Sequence, residues 1–264
     1  MSPFEAILLG LVQGITEFLP ISSSGHLVIA QHFIEGFEQP GVLFDVMLHF
    51  GTLIAVVVYF RKDISAIIGC LTFKATPENK ESKKLSLLII AGTIPTVIIA
   101  LSFKDIFEKL FTSLPTVGLM LIVTGTLLYF TKNIKNPNRE EKDFGVIDAV
   151  IIGFVQGMAI IPGISRSGST IAAGIFRGIN PVAAARFSFL LSIPAIIGAV
   201  ILQARGFNEL SLAGVGTYFL GAFVAGISGY LSIAALMKIL MTGHLRFFSY
   251  YCWVVGGAVL FFLK

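Results

Sequence analysis

Charge is scarce in this sequence. Only 13% of its 264 residues are Asp, Glu, Lys or Arg, against about 25% in soluble domains, and 55% are hydrophobic, with a mean hydropathy of +0.88. This excludes an ordinary water-soluble domain and points to an integral membrane protein. Cysteine is nearly absent as well. Cys70 and Cys252 lie far apart, so neither a disulfide framework nor a CxxC metal or redox motif is present. The opening MSPFE has no basic stretch and no small-residue cleavage pattern before the first apolar run, so a removed signal peptide is not expected. The net charge of +4 comes from Lys and Arg clustered between apolar runs, where they set orientation rather than bind nucleic acid.

Long apolar segments at about 42–60, 85–103, 114–131, 187–204, 211–237 and 247–263 predict about six transmembrane helices. Four further apolar pieces, at about 3–16, 21–34, 145–161 and 169–179, are too short, since a helix rises only about 1.5 Å per residue. They pair around helix-hostile breaks, LPISSSG at 19–25 and IPGISRSG at 161–168, where proline removes a donor and glycine permits unusual backbone angles. Each pair reads as a re-entrant hairpin. The predicted fold is therefore an all-α membrane domain over 1–264, with six spans and two hairpins.

Basic residues orient it. Arg61, Lys62, Lys74, Lys80, Lys83 and Lys84, and then Lys132, Lys135, Arg139 and Lys142, place the connections 61–84 and 132–144 in the cytoplasm. The connections 104–113 and 205–210 carry balanced charge and fall outside. The first hairpin then enters from outside and the second from inside.

Shifted by 143 residues, GLVQGITEFLPISSSGHL (10–27) overlies GFVQGMAIIPGISRSGST (153–170) without a gap. Gly10, Val12, Gln13, Gly14, Ile21, Ser22, Ser24 and Gly25 meet Gly153, Val155, Gln156, Gly157, Ile164, Ser165, Ser167 and Gly168. The chain thus reads as an inverted repeat, about 1–131 and 145–264, joined by a cytoplasmic linker at about 132–144. In such folds broken helices build a polar site near the midplane. The differences between the copies carry chemistry: Glu17 faces Ile160, Ser23 faces Arg166, and His26 faces Ser169. GISRSGST places an arginine fork at a helix N-terminus, a seat for phosphate. Glu17 lies one turn after Gln13, and an acid within a membrane segment is costly and usually functional. Asp45, His49, Arg177 and Arg186, near segment ends, read as anchors, pairing partners or pore-lining groups.

These motifs resemble the bacterial undecaprenyl-diphosphate phosphatases, also called bacitracin-resistance proteins. QGITEFLPISSSGH matches that family's first motif and PGISRSGST its second, and the likeness runs from the first hairpin to the last helix. The resemblance implies removal of one phosphate from a C55 prenyl diphosphate, recycling the carrier lipid for envelope polysaccharide in the bacterial plasma membrane, with a divalent cation, Mg²⁺ or Ca²⁺. It places Glu17, Ser23, His26 and Arg166 in catalysis and Ser165, Arg166, Ser167, Gly168 and Thr170 around the phosphate. Gln13, Ser22, Ser24 and Gln156 are supporting residues. Glu17 is the candidate metal ligand, although Gln13 offers no second carboxylate. The nucleophile stays open between Ser23, His26 and a metal-held water. Expected partners are the prenyl diphosphate and membrane lipids, with a homodimer left open. The site is expected to open extracytoplasmically. A lipid or ion transporter built on inverted repeats is the alternative.

Overall fold

The structure, a computed structural model, describes residues 1–34, 42–72, 80–203, 215–243 and 245–263. Among these it is all-helical, with no named strand, in the order α1 (Pro3–Phe18), α2 (Ser23–His32), α3 (Val42–Tyr59), α4 (Arg61–Thr72), α5 (Lys80–Ser102), α6 (Lys104–Leu110), α7 (Leu114–Phe130), α8 (Val146–Met158), α9 (Arg166–Phe176), α10 (Pro181–Gln203), α11 (Val215–Met241) and α12 (Phe247–Phe262). The connection 205–210 lies outside the described residues.

Four helices are long and apolar enough to cross a membrane: Lys80–Ser102, Leu114–Asn133, Pro181–Leu202 and Val215–Met241. The expected spans at 42–60 and 247–263 form shorter apolar helices. Side chains as large as Phe4, Phe219, Phe223, Val254, Phe261 and Phe262 are exposed, forming an apolar exterior that lipid covers and water would not. The chain is a multi-pass membrane protein.

Two helices appear where connections were expected. Residues 61–72 continue as α4, the Ile64 amide donating to the Phe60 carbonyl at 3.0 Å, and α6 is a short turn carrying a Lys104–Glu108 pair at 3.7 Å. Charge assigns such segments to the interface but does not stop them from coiling. α10 also begins before the expected position, because Asn180 Oδ1 accepts from the Val182 amide at 2.9 Å and proline at the first helical position suits that start.

The breaks have local causes. α1 opens on a capping box between Ser2 and Glu5 and stops at Leu19, held extended (ψ 143°) by the following Pro20. Ser22 takes a left-handed φ of 71°, a conformation stabilised by its hydroxyl accepting from the Gly25 amide at 3.3 Å to cap α2. Ser165, its equivalent 143 residues on, caps α9 the same way, from the Gly168 amide at 3.0 Å. Gly163 turns at φ 94°, and a Cβ there would lie 2.5 Å from the Val117 carbonyl oxygen, so no other residue fits.

α1 packs along α11 and α8 along α5, while α3 lies on α11 and α12 on α7. α1 approaches α11 so closely that a Cβ on Gly14 would fall 2.0 Å from Ser228 Oγ and 2.5 Å from the Ala225 carbonyl. Beneath the breaks sits the core, where Phe18 meets Phe189 edge-on at 5.5 Å and Phe189 meets Phe60 at 5.9 Å. Burial of each such ring stabilises the packing by roughly 2 kcal/mol where water is the alternative. Residue 18 is thus pinned, and its neighbour Glu17 with it.

Candidate active site

The two breaks touch. Ser167 Oγ donates to the Leu19 carbonyl at 3.2 Å, and a Cβ on Gly25 would sit 3.2 Å from Gly163 Cα. Ser165 is tied to α7 as well, its amide donating to Thr124 Oγ1 at 3.0 Å while Thr124 donates to the Gly163 carbonyl at 3.0 Å.

At this junction Glu17, 6% exposed, is held from three sides. Arg166 Nη2 donates to its Oε1 at 2.6 Å. Oε2 accepts from the Ser23 hydroxyl and from Gln13 Nε2 at 3.1 Å. A buried carboxylate is tolerable only with such pairing. Acid and hydroxyl come from the first break and the guanidinium from the second, so neither half holds the cluster alone.

Two buried atoms here have no partner: Arg166 Nη1, a donor, and Gln13 Oε1, an acceptor. Buried polar groups are nearly always satisfied. A free guanidinium N–H beside a carboxylate-held one suits a phosphate oxygen, and the amide oxygen suits a donor or a hard cation.

The other expected residues divide. His26 stands in the first turn of α2, but its ring is tied elsewhere: Nδ1 donates to the Ser22 carbonyl at 2.7 Å, and Nε2 meets the Tyr251 hydroxyl of α12 at 2.8 Å. Ser22, Ser24, Ser165 and Ser167 use their hydroxyls within the breaks, with Ser22 to Ser24 and Ser165 to Ser167 both at 3.3 Å. The Thr170 hydroxyl donates back to the Arg166 carbonyl at 2.7 Å and lies 2.6 Å from Ser188 Oγ, so it braces the first turn of α9. Gly168 packs against Pro20, where a Cβ would come within 3.1 Å. Gln156 is away from the cluster, donating to Thr96 Oγ1 at 3.3 Å and the Leu191 carbonyl at 3.4 Å. Its repeat position resembles that of Gln13, yet Ile160 stands where Glu17 would be.

Two neighbours are not assigned to the site by the sequence, although His49 reads there as an anchor, pairing partner or pore-lining group. His49 of α3 lies with Nδ1 2.9 Å from Gln13 Nε2 and 3.8 Å from Glu17 Oε2, and Tyr251 caps His26. A histidine inside an apolar segment was the signal for the first. Nothing local in the sequence marks the second.

Away from the cluster, Arg139 grips Asp148 through both nitrogens, at 2.6 and 3.3 Å, and Arg177 Nε reaches the same carboxylate at 2.8 Å. Arg186 binds Glu141 at 2.6 Å and also Asp63. Arg177 and Arg186 are therefore pairing partners that lash the segment 132–145 to α4, α8, α9 and α10. Burial pushes the Glu141 carboxyl above its ordinary value, with Arg186 pulling the other way.

Residues 6–258 match the model of the bacitracin resistance protein BacA family. The chain belongs to that family. Among curated relatives, undecaprenyl-diphosphatase from Syntrophotalea carbinolica is 48% identical over 97% of both chains. The protein of the same name from Carboxydothermus hydrogenoformans is 45% identical over 98% of this chain and 97% of its own. That of Halothermothrix orenii is 47% identical over 97% and 96%. The matched residues include both breaks and every residue of the cluster.

Proposed function

We propose that this chain is a membrane phosphatase that hydrolyses undecaprenyl diphosphate to undecaprenyl phosphate and inorganic phosphate, the activity named for its relatives. The observation that carries the reading is Glu17 held between the Ser23 hydroxyl and the Arg166 guanidinium, with a guanidinium N–H left over for a phosphate oxygen.

In the mechanism this favours, the terminal phosphate sits against Arg166 and the N-terminus of α9. Glu17 takes the Ser23 proton as Ser23 Oγ bonds to the terminal phosphorus. The bond to the bridging oxygen breaks, undecaprenyl phosphate leaves, and Arg166 stabilises the charge on the transferring group. Glu17 gives that proton up to the departing undecaprenyl phosphate. The ionised carboxylate then takes a proton from the water whose oxygen bonds to the serine phosphorus, the bond from phosphorus to Ser23 Oγ breaks, and Glu17 returns the proton to Ser23 Oγ as inorganic phosphate is freed. His26 stands one turn along α2, held toward Tyr251, and an attack by His26 would require it to leave that contact.

A divalent cation fits the donors present. Gln13 Oε1 and Glu17 are hard oxygens. Among the described residues no group of three or more His, Cys, Asp or Glu side chains could hold a metal ion alone, so substrate phosphate and water would complete the shell of Mg²⁺ or Ca²⁺. When bound, the ion would neutralise phosphate charge.

The architecture proposed around this site is six spans and two re-entrant hairpins in an inverted repeat, in the bacterial plasma membrane, opening extracytoplasmically. α2 and α9 begin 143 residues apart, at Ser23 and Arg166, and α1 on α11 mirrors α8 on α5, which supports the repeat. The basic stretches at 61–84 and 132–144 support the orientation.

The test is phosphate release from undecaprenyl diphosphate by detergent-purified protein, with Glu17→Ala and Arg166→Ala as controls. Release abolished by both substitutions is expected. Release untouched by either would defeat the assignment, and binding with no release would favour a transporter.

A further inference from the structure

Gln13 is wholly buried, and its neighbours decide which end of its amide faces which group. Glu17 Oε2 lies 3.1 Å from Gln13 Nε2. Paired with Arg166 at 2.6 Å, the carboxylate is ionised and accepts only. An amide oxygen in that place would set acceptor against acceptor, so the nitrogen faces Glu17. The same nitrogen is 2.9 Å from His49 Nδ1 and has one proton left to give. With both amide protons directed outward, one to Glu17 and one to the ring, Nδ1 is the acceptor of the second.

We propose that His49 is a positioning residue for the phosphatase reaction, an acceptor on α3 that locks the Gln13 amide so that Gln13 donates to Glu17. The proposal rests on the phosphatase reading above. At 3.8 Å from Glu17 Oε2, Nδ1 is too far for a hydrogen bond, and its influence passes through the amide. The lock has two effects. Glu17 Oε2 is held by Gln13 at the distance at which it receives the Ser23 hydroxyl, and Gln13 Oε1 is turned away from both groups and left without a partner, available to ligand. With no acceptor at position 49 the amide is free to rotate, and the carboxylate loses a fixed donor just where it meets Ser23. The second proton of Gln13 would also be buried and unsatisfied, which is unfavourable.

Position 49 separates this role from plain packing, because asparagine places an acceptor oxygen near the position of Nδ1 while leucine places none. In the wild-type background, His49→Leu lowers kcat about tenfold with KM changed less than about twofold, as expected for one misplaced hydrogen bond. His49→Asn recovers kcat to within about threefold of wild type. In a Gln13→Leu background, where there is no amide to lock, His49→Leu has little further effect, and the two losses fail to multiply. His49→Asn as impaired as His49→Leu would overturn the proposal, and so would a full His49→Leu loss in the Gln13→Leu protein.

A second readout stands apart from turnover. In protein with ¹⁵N-labelled histidine, the His49 resonance is expected to show an unprotonated, hydrogen-bonded Nδ1 that shifts in Gln13→Leu. A protonated Nδ1, or no response to Gln13→Leu, would overturn the hydrogen bond. If wild-type protein released no phosphate at all, the phosphatase reading would fall, and this spectrum would still decide whether His49 holds Gln13.

Discussion

Glu17 and Arg166 are separated by 149 positions in the chain and by 2.6 Å in the fold. The acid sits at the end of one helix and the guanidinium at the start of another, so their meeting depends on the two breaks being correctly placed. Each stabilises the other's charge: Glu17 is 6% exposed and Arg166 16%. Substitutions on the two sides of this pair are expected to affect activity and folding differently.

Glu17→Gln keeps the shape and removes the charge. Phosphate release is expected to fall by roughly a thousandfold, the size of losing a general base together with its pairing. The melting temperature in detergent should fall as well, since Arg166 is left buried without its counter-ion, at a cost of about 3 kcal/mol. Arg166→Lys retains a charge but cannot offer one nitrogen to Glu17 and another to phosphate in a fixed fork, and a loss of roughly a hundredfold in kcat/KM is expected.

Ser23→Ala removes the hydroxyl that donates to Glu17. Turnover should fall by at least about a thousandfold, and rapid-quench labelling with terminally ³²P-labelled substrate should place phosphate on a peptide containing Ser23 in the wild-type protein and on none in the variant. Labelled His26 would transfer the nucleophile's role to the imidazole, and no label at all would assign it to water.

Removing divalent cations with a chelator is expected to suppress phosphate release, and adding back Mg²⁺ or Ca²⁺ to restore it. Gln13→Leu, which deletes the unpartnered oxygen, should raise the cation concentration needed for half-maximal rate by about tenfold if that oxygen contributes to the shell.

Asp148→Asn tests the distant knot. The carboxylate is 2% exposed and serves both Arg139 and Arg177, so its loss should destabilise the protein by about 2–4 kcal/mol, read as a lower melting temperature. Gly163→Ala should cost a similar amount, because its φ of 94° and the Val117 carbonyl both oppose a Cβ.

The sequence discloses the breaks because proline, glycine and serine act locally. The pieces expected at 21–34 and 169–179 are α2 at 23–32 and α9 at 166–176. The acid, hydroxyl and guanidinium were legible for a related reason, since two aligned copies that differ at three chemical positions expose them. Long-range partners were not. His49 is a neighbour of Gln13 only through the rotation of α3 about its axis, and Tyr251 meets His26 across 225 residues. Gln156 shows the opposite error: equal position in a repeat does not give equal surroundings, and with Ile160 beside it the amide turned to α5 and α10 instead. α4 and α6 escaped notice because short amphipathic helices at an interface look like charged connections when only their charge is weighed.

Gly14 leaves no room between α1 and α11, and α11 lies against α3 as well. Gln13 and Glu17 ride on α1 and His49 on α3, so all three share one spine. Arg166 rides on α9, which packs on α8 and α10. Packing on the shared α11 therefore fixes the mutual spacing of acid, amide and imidazole, while their spacing to the guanidinium is set by the contact of the two breaks, Ser167 to the Leu19 carbonyl among them.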